Sequence, residues 1–364
     1  MKIMFVVPNM GYGGAERVIS ILSNAFIEKG YEVKILIANS NGKSVYDLNS
    51  KIVVETIPSA NIKNVYSMYK LLKSIRTITL NYKPDVIMSF MNDTCAITAL
   101  ATIGTGCPII YSERNDPSNT NQSIKDKIYR YIVERFAKGF VFQSNGAKAL
   151  YPKRVQNHAV VILNPIDTRK LPSYYSGERK KEIVSVGRLQ SQKNQEMLIK
   201  AYSNIAKEYP EYNLIIYGEG DLRETLQQKI ECLGLKDRIF LKGNISNVLD
   251  EINKASIFAF SSNYEGLPNA LIEAMALGLP CISTDCSPGG AAMLINNYEN
   301  GILVPIEDEK EFAAGLRYLL SNYPSAINMG IEAQKIIKRT NESSIVTDWE
   351  NYILLITQKG IIKQ

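Results

Sequence analysis

The sequence predicts an α/β protein with two doubly wound domains, each a parallel sheet covered by helices on both faces. Short apolar segments alternate with amphipathic helical segments along the chain, which is the pattern of such sheets. The same order of strand, glycine loop and helix restarts near residue 180. The length of 364 residues also matches two domains of roughly 100–200 residues each.

The first half begins with the predicted strand KIMFVV, residues 2–7, followed by a glycine loop and an amphipathic helix at 11–30. Alternation then predicts further strands, at residues 31–38, 84–90, 107–113 and 139–144.

The second half begins with KEIVSVGRL, residues 181–189, followed by a helix predicted at 194–209. Four more strands are predicted, at residues 212–220, 239–243, 255–262 and 280–285. The boundary falls in residues 163–180, which are rich in Pro, Ser and charge. Ligands of doubly wound sheets bind beyond the carboxyl ends of the strands, so we expect a cleft between two domains. One large α/β domain is the alternative.

Composition is that of an ordinary globular protein, with 45% hydrophobic and 21% charged residues. The N-terminal apolar run is too short for a signal peptide, and no apolar stretch has the 18 or so residues that a membrane span needs. Five cysteines and one histidine, His158, show no spacing typical of metal sites or disulfides. These features predict a cytoplasmic protein.

Charge is unevenly distributed between the two halves. Residues 1–165 contain 20 Lys and Arg against 11 Asp and Glu, whereas residues 166–364 contain 22 against 25. The basic first half indicates an anionic partner.

The loop NMGYGGAERV, residues 9–18, leads from the first strand into the first helix. Gly13 and Gly14 allow close backbone approach, and the helix start offers free N–H groups, so a phosphate or a sugar is expected here. The alternative is a tight packing turn. The glycine spacing is not G-x-G-x-x-G, and no suitable acidic residue follows about 20 positions later, which argues against a dinucleotide oxidoreductase.

The loop GRLQSQKNQ, residues 187–195, carries two cations at the carboxyl end of a predicted strand. Arg188 offers a planar fork for phosphate oxygens and Lys193 a point charge, so the pair suits a diphosphate. The alternative is two solvated surface cations.

The segment SSNYEGLPNALIEAMALGLP, residues 261–280, contains two glutamates, one before a tight loop and one within a predicted helix. We expect Asn269 to cap this helix, Gly278 to end it, and Glu273 to lie in its first turn. Glu265, Glu273 and the first backbone N–H groups of the helix then suit a ligand with two hydroxylated rings joined by phosphates, a nucleotide sugar. Taken singly, each glutamate is also explained as a helix-dipole partner or a solvated acid.

Together these segments resemble the retaining family 4 glycosyltransferases, which have the GT-B fold of two Rossmann-like domains facing a cleft. The resemblance covers nearly the whole chain and rests on GGAERV, GRLQSQKN, YGEG, EGLPNALIEAMALGLPCISTD and NGILVP. The segment TDWENYILLI is similar to the family's final helix, which crosses back onto the N-terminal domain.

The resemblance implies a role for each matching residue. Arg188 and Lys193 would hold the diphosphate, Glu265 the donor sugar, and these three would carry catalysis, while Glu273 would bind the ribose. The rest of the implied donor site is Gly13, Gly14, Gly187, Gly218, Gly266, Leu267, Asn269, Ala270 and Leu271. Neither a metal nor a cofactor is expected. Residues 1–165 with about 345–364 would bind the acceptor, and residues 166–344 the donor.

Two departures from the family pattern concern the sugar contacts. Many relatives have a histidine where this chain has YSERNDP, residues 111–117, so the acceptor-side substitutes are Glu113, Arg114, Asn115 or Asp116. A glutamate common before the closing segment is replaced by GGAAMLI, which contains Met293.

The implied reaction moves a hexosyl or N-acetylhexosaminyl group from a nucleotide sugar, expected to be a UDP-sugar, to a hydroxyl of a saccharide. Retention of configuration and a lipid-linked acceptor in cell-surface polysaccharide or glycan biosynthesis are expected. The alternatives are a nucleotide-sugar epimerase of similar architecture, for which no acid and base residues stand out, and a non-catalytic nucleotide-sugar-binding protein.

Two basic segments of the first half predict peripheral binding to an anionic membrane. The resemblance implies a lipid-linked acceptor at the inner face of that membrane. The first, residues 61–83, lacks acidic residues and contains Lys63, Lys70, Lys73, Arg76 and Lys83, with Ile62, Tyr66, Tyr69, Leu72 and Ile75 at helical spacing. The second, residues 123–139, contains Lys125, Lys127, Arg130, Arg135 and Lys138. Ordinary domain helices with solvated cations are the alternative. Nucleic acid is not expected, because no nucleic-acid-binding module accompanies the charge.

Overall fold

The computed structural model describes residues 1–11, 13–38, 46–57, 65–120 and 123–361. The chain forms two compact units. The N-terminal unit comprises Met1–Pro165 and Glu342–Gln364, and the C-terminal unit comprises Ile166–Asn341.

Seven parallel strands form the sheet of the described N-terminal unit, in the order β3-β2-β1-β4-β5-β6-β7. The strands are β1 (Lys2–Val7), β2 (Glu32–Ile37), β3 (Val53–Thr56), β4 (Val86–Phe90), β5 (Ile109–Ser112), β6 (Gly139–Phe142) and β7 (Ala159–Val161). The helices are α1 (Gly14–Glu28), α2 (Val65–Tyr82), α3 (Asn92–Ala101), α4 (Pro117–Thr120), α5 (Ile124–Phe136), α6 (Asn145–Ala149) and α7 (Lys153–Gln156).

The C-terminal unit contains a six-stranded parallel sheet in the order β10-β9-β8-β11-β12-β13. Its strands are β8 (Lys180–Val186), β9 (Asn213–Tyr217), β10 (Ile239–Gly243), β11 (Ala255–Phe260), β12 (Cys281–Thr284) and β13 (Ile302–Val304). Its helices are α8 (Gln195–Ser203), α9 (Arg223–Cys232), α10 (Val248–Asn253), α11 (Asn269–Ala276), α12 (Glu309–Ser321), α13 (Tyr323–Ala333) and α14 (Ile336–Thr340). The last helix, α15 (Glu342–Ile361), belongs to the N-terminal unit.

Strand alternation explains why each sheet is covered on both faces. In β1, Ile3, Phe5 and Val7 pack into one hydrophobic cluster, whereas Met4 and Val6 pack into another. Because successive side chains of a strand point to opposite faces, a continuous apolar run implies a layer of helices on each side.

Helix α15 packs against the sheet of the N-terminal unit. Trp349 is fully buried, with its ring stacked 6.0 Å from that of Phe90. The hydroxyl of Tyr352 accepts from the backbone N–H of Phe140 at 2.7 Å and donates to the carbonyl of His158, whose side chain is exposed. The only histidine thus contributes its backbone to this contact.

Charged contacts also attach α15 to the N-terminal unit. The Glu350 carboxylate accepts from the Lys29 amine at 2.5 Å and from the Tyr31 hydroxyl. These two donors lower the pKa of Glu350, while the bond to Glu350 raises the pKa of Tyr31 to about 12.

The predicted α/β class with two doubly wound halves is confirmed. The predicted strands are present, each shorter than its segment or equal to it, whereas β3, β7 and β13 were not predicted. The helix predicted for residues 194–209 is wrong at its end, because α8 stops at Ser203. Beyond it the backbone tightens into turns, in which the N–H of Ile205 donates to the Tyr202 carbonyl at 3.0 Å.

Candidate active site

The two central strands of the C-terminal sheet end side by side. Strands β8 and β11 are neighbours, and β8 is where the strand order reverses. In doubly wound sheets this switch point leaves a crevice at the carboxyl edge. The loops that follow β8 and β11 carry the predicted phosphate cations and the first glutamate.

The loop after β8 is held by backbone contacts to the neighbouring strand. The N–H of Gly187 donates to the Tyr217 carbonyl at 3.0 Å, and the N–H of Leu189 donates to the Glu219 carbonyl at 2.9 Å. A Cβ at Gly218 would lie 2.0 Å from the Gly187 carbonyl oxygen, so the two loops approach this closely only with glycine at position 218.

The loop ends at an asparagine that caps α8. Asn194 has left-handed backbone angles, φ 45° and ψ 47°, which asparagine tolerates better than most residues. Its side-chain oxygen accepts from the N–H of Met197 at 3.2 Å, and its amide donates to the Asn263 side chain at 2.7 Å. Asn194 therefore both starts the helix and joins the two loops.

Further hydrogen bonds fix the β11 loop against the β8 loop. The hydroxyl of Ser261 donates to the Lys193 carbonyl at 2.8 Å, and the N–H of Asn263 donates to the Gln192 carbonyl at 2.8 Å. The relative position of the two loops is thus set in part by backbone atoms.

Lys193 and Glu265 meet at the centre of this arrangement. The Lys193 amine forms an ion pair with Oε1 of Glu265, and the side chains are only 17% and 14% exposed. The same carboxylate oxygen accepts from the Gln192 amide at 3.0 Å, which also donates to the Tyr264 carbonyl at 3.0 Å. The lysine and glutamate were predicted to bind different parts of one ligand, and the structure places them in direct contact.

Arg188 lies on the open side of the loop. Its side chain is exposed, while its carbonyl accepts from the buried Gln195 amide at 2.9 Å. The loop backbone is therefore anchored, and the guanidinium projects from it toward solvent.

The segment that follows Glu265 differs from the prediction in its helix start. Pro268, with φ −79° and ψ 99°, occupies the cap position of α11, so Asn269 is the first helical residue and Ala270 the second. The predicted Asn269 cap is therefore wrong. The N–H of Leu271 donates to the Pro268 carbonyl at 3.1 Å, so it is not the free donor that was predicted.

Glu273 is one residue further from the helix cap than predicted, which moves it from the first turn into the second. It is the fifth residue of α11, in its second turn, and is 8% exposed. Because Cα–Cβ bonds of a helix tilt toward its N-terminus, the side chain of Glu273 leaves the backbone toward the end of α11 that follows Glu265. The predicted helix end is confirmed, because Gly278 has φ 72° and its N–H donates to the Met275 carbonyl at 3.0 Å.

Nearby backbone contacts hold Glu265 and Gly266 in place. The N–H of Glu265 donates to the Ser287 carbonyl at 2.9 Å, and Gly266 and Leu267 are buried. The carbonyl of Met293, in the segment GGAAMLI, accepts from Arg339 at 2.9 Å.

In the N-terminal unit, the glycine loop leads directly into α1. Gly13 is the cap residue, with extended backbone angles, and its carbonyl accepts from the Tyr46 hydroxyl at 2.9 Å. Gly14 is the exposed first residue of the helix, and Tyr12 lies outside the described residues. A carboxylate oxygen of Glu16 lies 2.1 Å from the position that a Cβ of Gly13 would take, so an acid already occupies this helix end. Two ligands were predicted here, a phosphate and a sugar. The negative charge of Glu16 favours a neutral sugar hydroxyl over a phosphate.

The four predicted acceptor-side residues follow β5, and Glu113 is buried among them. Its Oε2 accepts from the hydroxyls of Tyr111 at 2.8 Å and Tyr151 at 2.9 Å. Its Oε1 accepts from the N–H groups of Arg114 at 3.0 Å and Asn115 at 3.2 Å. Burial raises the pKa of Glu113, and these four donors oppose that rise.

Asp116 organises the start of α4. It is fully buried, and its carboxylate accepts from the N–H of Ser118 at 2.8 Å and from the Asn119 amide at 2.9 Å. Because the carboxylates of Glu113 and Asp116 both accept hydrogen bonds from groups of the N-terminal unit itself, we do not propose either of them as an acceptor contact.

Arg114 stacks against aromatic rings in the N-terminal core. Its guanidinium lies 4.4 Å from the ring centre of Phe90 and 5.6 Å from that of Trp349, and Nη1 donates to the Asn164 side chain at 2.7 Å. Burial lowers the pKa of Arg114 to about 9. Within the described residues its Nε and Nη2 are buried without a hydrogen-bond partner, which leaves one edge of the guanidinium unused.

Sequence reasoning missed Gln192, Asn194 and Asn263, which join the two loops. Their signal was present in QKNQ and SSN, since asparagine commonly caps helices and tolerates left-handed angles. Among the described residues, no cluster of three His, Cys, Asp or Glu side chains is arranged to hold a metal.

Comparison with known proteins identifies the class of this site. The family model "Glycosyltransferase Family 4" matches residues 12–170, and "Glycosyl transferases group 1" matches residues 168–336. The structure of Anabaena HepE in complex with UDP and glucose has a TM-score of 0.80 at 18% identity, covering 96% of this chain and 98% of that one. A sucrose-phosphate synthase from Thermosynechococcus elongatus has a TM-score of 0.83 at 16% identity, covering 99% and 100%. The two units therefore have the GT-B fold.

Similarity in sequence extends over nearly the full length of two bacterial enzymes. An uncharacterized glycosyltransferase of Haemophilus influenzae is 28% identical, covering 97% of this chain and 99% of the relative. The GalNAc-alpha-(1->4)-GalNAc-alpha-(1->3)-diNAcBac-PP-undecaprenol alpha-1,4-N-acetyl-D-galactosaminyltransferase of Campylobacter jejuni is 30% identical, covering 96% and 97%.

The chain belongs to the family 4-type GT-B glycosyltransferases of bacterial glycan biosynthesis. It is an enzyme that transfers a sugar from a nucleotide sugar to a saccharide acceptor.

Proposed function

We propose that the protein moves a hexosyl or N-acetylhexosaminyl group from a UDP-sugar to a hydroxyl of a lipid-linked saccharide, with retention at the anomeric carbon. The reaction would take place at the cytoplasmic face of a membrane. The observation that carries the proposal is the contact of Lys193 with Glu265 at the switch point of the C-terminal sheet.

This contact places a group that can bind phosphate next to a group that can bind sugar hydroxyls, and a nucleotide-sugar donor requires both. A lysine amine is a point charge suited to phosphate oxygens, and a carboxylate accepts hydrogen bonds from sugar hydroxyls. Since the two groups touch in the free protein, a donor whose diphosphate meets Lys193 brings its sugar within reach of Glu265. Arg188 adds a second, exposed cation at the same strand end.

The proposed chemistry needs no strong protein base. The acceptor oxygen forms a bond to the anomeric carbon as the bond from that carbon to the diphosphate breaks. The proton of the acceptor hydroxyl passes to the departing diphosphate oxygen on the same face. Arg188 and Lys193 stabilise the charge that develops on the diphosphate, and each such contact is worth about 3–4 kcal/mol of the barrier.

The relatives support the choice of donor and acceptor. Solved neighbours include a protein in complex with UDP and glucose and the same protein in complex with UDP-glucose. Two Campylobacter jejuni relatives carry diphosphate-linked undecaprenol saccharides in their names, and both names specify alpha-linked N-acetylgalactosaminyl transfer. A UDP-sugar and a polyprenyl-diphosphate-linked saccharide are therefore the first substrates to test.

A metal ion is not part of the proposal, because Arg188 and Lys193 supply the positive charge at the diphosphate. Turnover measured after dialysis against EDTA is expected to equal turnover with added Mg²⁺ or Mn²⁺. A loss that either metal restores would refute metal-independent transfer.

The function is tested by incubating the full chain with UDP-hexoses and UDP-N-acetylhexosamines, with and without a saccharide-diphospho-lipid acceptor. UDP release that depends on the acceptor, together with an NMR spectrum showing the anomeric configuration of the donor in the product, is the expected result. An inverted product would refute retention. Interconversion of the donor sugar without transfer would favour an epimerase, and binding without turnover would favour a non-catalytic binding protein.

A further inference from the structure

Arg114 is a cation of the N-terminal unit whose hydrogen-bonding capacity is only partly used. Its Nη1 donates to the Asn164 side chain at 2.7 Å, whereas Nε and Nη2 are buried without a partner in the described part of the chain. Nε and Nη2 form one edge of the planar guanidinium, and such an edge can donate two parallel hydrogen bonds to a carboxylate or a phosphate. The unused edge therefore has the geometry of an oxyanion site.

Among the described residues, no carboxylate forms an ion pair with Arg114. The carboxylate of Glu113, its neighbour in sequence, accepts from two tyrosine hydroxyls and two backbone N–H groups, and acts on the guanidinium only through space. Burial lowers the pKa of Arg114 to about 9 although the charge of Glu113 opposes this change. Because a buried charge is costly unless it is paired, the guanidinium favours an anion from outside the chain.

Aromatic rings fix the plane of the guanidinium. It lies 4.4 Å from the ring centre of Phe90 and 5.6 Å from that of Trp349, and these two rings are stacked 6.0 Å apart. Arginine stacks on aromatic faces, so the unused edge keeps its direction without a ligand. This order reduces the entropy that binding an oxyanion would cost.

Two residues around Arg114 also have a buried polar atom without a partner among the described residues. These atoms are the indole Nε1 of Trp349, a donor, and Oε1 of Gln143, an acceptor. Gln143 is joined to Arg114 through Asn164, whose side-chain oxygen accepts from the glutamine amide at 2.5 Å as well as from the guanidinium. Donors for an anion beside an acceptor for a hydroxyl are the groups that an acidic or phosphorylated sugar requires.

The fold places these groups where a ligand is expected. Phe90 ends β4, and Arg114 and Gln143 follow the ends of β5 and β6. The three strands are parallel neighbours, so all three residues lie at the carboxyl edge of the N-terminal sheet, the edge at which doubly wound sheets bind ligands. Arg114 as a whole residue is half-buried, so a ligand at this edge can reach its side chain.

We propose that the unused edge of Arg114 binds an oxyanion of the acceptor, so that the acceptor is an acidic or phosphorylated saccharide. The carboxylate of a uronic acid and the phosphate of a saccharide diphosphate are the two sources of such a group. The inference rests on the proposed function in one respect, since that function supplies the saccharide acceptor. It assigns a ligand chemistry to one of the four residues predicted on the acceptor side.

The first test uses small oxyanions, because they require no known acceptor. Trp349 is the only tryptophan of the chain, so its fluorescence and its indole N–H resonance report on this site. The full chain carrying Arg188→Ala with Lys193→Ala, which removes the proposed donor-phosphate cations, is titrated with inorganic phosphate and separately with acetate. Sodium chloride at equal ionic strength is the salt control. We expect a saturable change of the Trp349 signal with an oxyanion and none with chloride.

Substitutions in the same background test the role of the guanidinium edge. Arg114→Gln should raise the Kd of the oxyanion at least about tenfold, because two charge-assisted hydrogen bonds are lost. Arg114→Lys keeps the charge but loses the fork, and should raise the Kd as well. The matched control is Arg130→Gln: Arg130 stacks 4.0 Å from the ring centre of Tyr151, but its Nε and Nη2 already donate to Glu134 and Leu150. That control should leave the Kd within about twofold.

The titrations also define what would overturn the site. A Trp349 signal that neither oxyanion changes would mean that water alone occupies the edge of Arg114. Binding that survives Arg114→Gln, or that Arg130→Gln weakens equally, would refute the assignment. Circular dichroism melts establish which variants fold; if Arg114→Gln does not, the wild-type residue and Arg114→Lys decide the question. Tighter binding of phosphate than of acetate would identify a phosphorylated acceptor, and the reverse order a uronic acid.

Transfer kinetics in the otherwise wild-type chain separate this inference from the proposed function. With a saccharide diphosphate or a uronic acid glycoside as acceptor, Arg114→Gln should raise the acceptor KM at least about tenfold and leave the KM of the UDP-sugar within about threefold. Arg114-dependent oxyanion binding without transfer to any acceptor would refute the proposed function and leave the site supported. Transfer with an acceptor KM that Arg114→Gln does not change would refute the site and leave the transferase supported.

Discussion

The ion pair of Lys193 with Glu265 predicts that two substitutions in one contact differ in their effect on donor binding. The perturbations are Lys193→Gln, Glu265→Gln and the double variant, each of which removes charge with little change in volume. In the free protein the amine and the carboxylate satisfy one another, and Gln192 supports the carboxylate at 3.0 Å. In the proposed reaction, the diphosphate of a bound donor competes with Glu265 for the lysine.

The burial of the pair determines the coupling energy between Lys193 and Glu265 in the free protein. Because the two side chains are 17% and 14% exposed, removal of one charge leaves the other partly desolvated and unpaired. We expect a coupling energy of about 1–3 kcal/mol, so that the double variant is more stable than the sum of the single variants predicts. Helix α8 offers a solvent-exposed control pair, Glu196 with Lys200, whose charged atoms lie 2.9 Å apart and whose side chains are 47% and 39% exposed. That pair should couple by only about 0.3–0.5 kcal/mol.

The two single variants should differ in their affinity for UDP. Lys193→Gln loses a phosphate contact and should bind UDP at least about tenfold more weakly. Glu265→Gln frees the lysine from its partner and should bind UDP as tightly as wild type or up to about tenfold more tightly. Both should turn over at least about a hundredfold more slowly, since each loses a group that meets the reacting donor.

Three measurements on the four proteins test the reasoning: urea unfolding, calorimetric titration with UDP, and steady-state transfer. The result that would refute it is UDP affinity that falls equally in both single variants, or that stays unchanged in Lys193→Gln. Either outcome would mean that the lysine does not exchange Glu265 for the diphosphate.

Three other predictions follow from the described contacts. The buried carboxylate of Glu273 is proposed to accept hydrogen bonds from the ribose hydroxyls. Glu273→Gln should therefore weaken UDP binding, measured by calorimetry, about tenfold and leave turnover at saturating donor within about threefold of wild type. An equal loss of UDP affinity and of turnover would contradict this role. Glu113→Gln should lower the free energy of unfolding in urea by about 1–3 kcal/mol, because four donors converge on its carboxylate; an unchanged midpoint would contradict it. The pKa of Glu350 is lowered in the folded protein, so its contribution to stability is present above the unfolded-state pKa of about 4.3 and is lost as pH falls below it. Glu350→Gln should therefore be less stable than wild type at pH 7 and approach it in acid, and a pH-independent difference would refute the linkage.

Most of the strands that were predicted correctly are buried on both faces; the edge strand β10 is the exception, with a partly exposed pattern. The segment at residues 2–7 is almost continuously apolar because each face of β1 packs against a helical layer. Strand β3 was missed because it lies at the sheet edge, where Val53 and Val54 are 50% and 43% exposed and Glu55 and Thr56 follow. No buried run marks such a strand, and only its pairing with β2 defines it.

Residue type predicted which groups belong to the candidate site better than it predicted their contacts. Asn269 has the side chain of a good cap, but the backbone enters α11 one residue earlier, at Pro268. Lys193 and Glu265 lie 72 residues apart in sequence, and their contact follows from the adjacency of β8 and β11. Sequence periodicity predicts that strands exist, whereas strand order depends on how the layers pack.

The geometry of the candidate site depends as much on residues without side-chain chemistry as on its charged groups. A Cβ at Gly218 would lie 2.0 Å from the Gly187 carbonyl oxygen, and one at Gly290 would lie 2.0 Å from the Gly266 carbonyl oxygen. The first contact brings the loop after β9 against the loop after β8, which carries Arg188 and Lys193. The second contact brings the segment after β12 against the loop that follows Glu265. Since the obstructing atoms are backbone, no rotamer change relieves the clash, and a side chain at either position would move a whole loop. The lysine–glutamate contact therefore requires close backbone packing behind both loops, which explains why glycines recur at the carboxyl edge of this sheet.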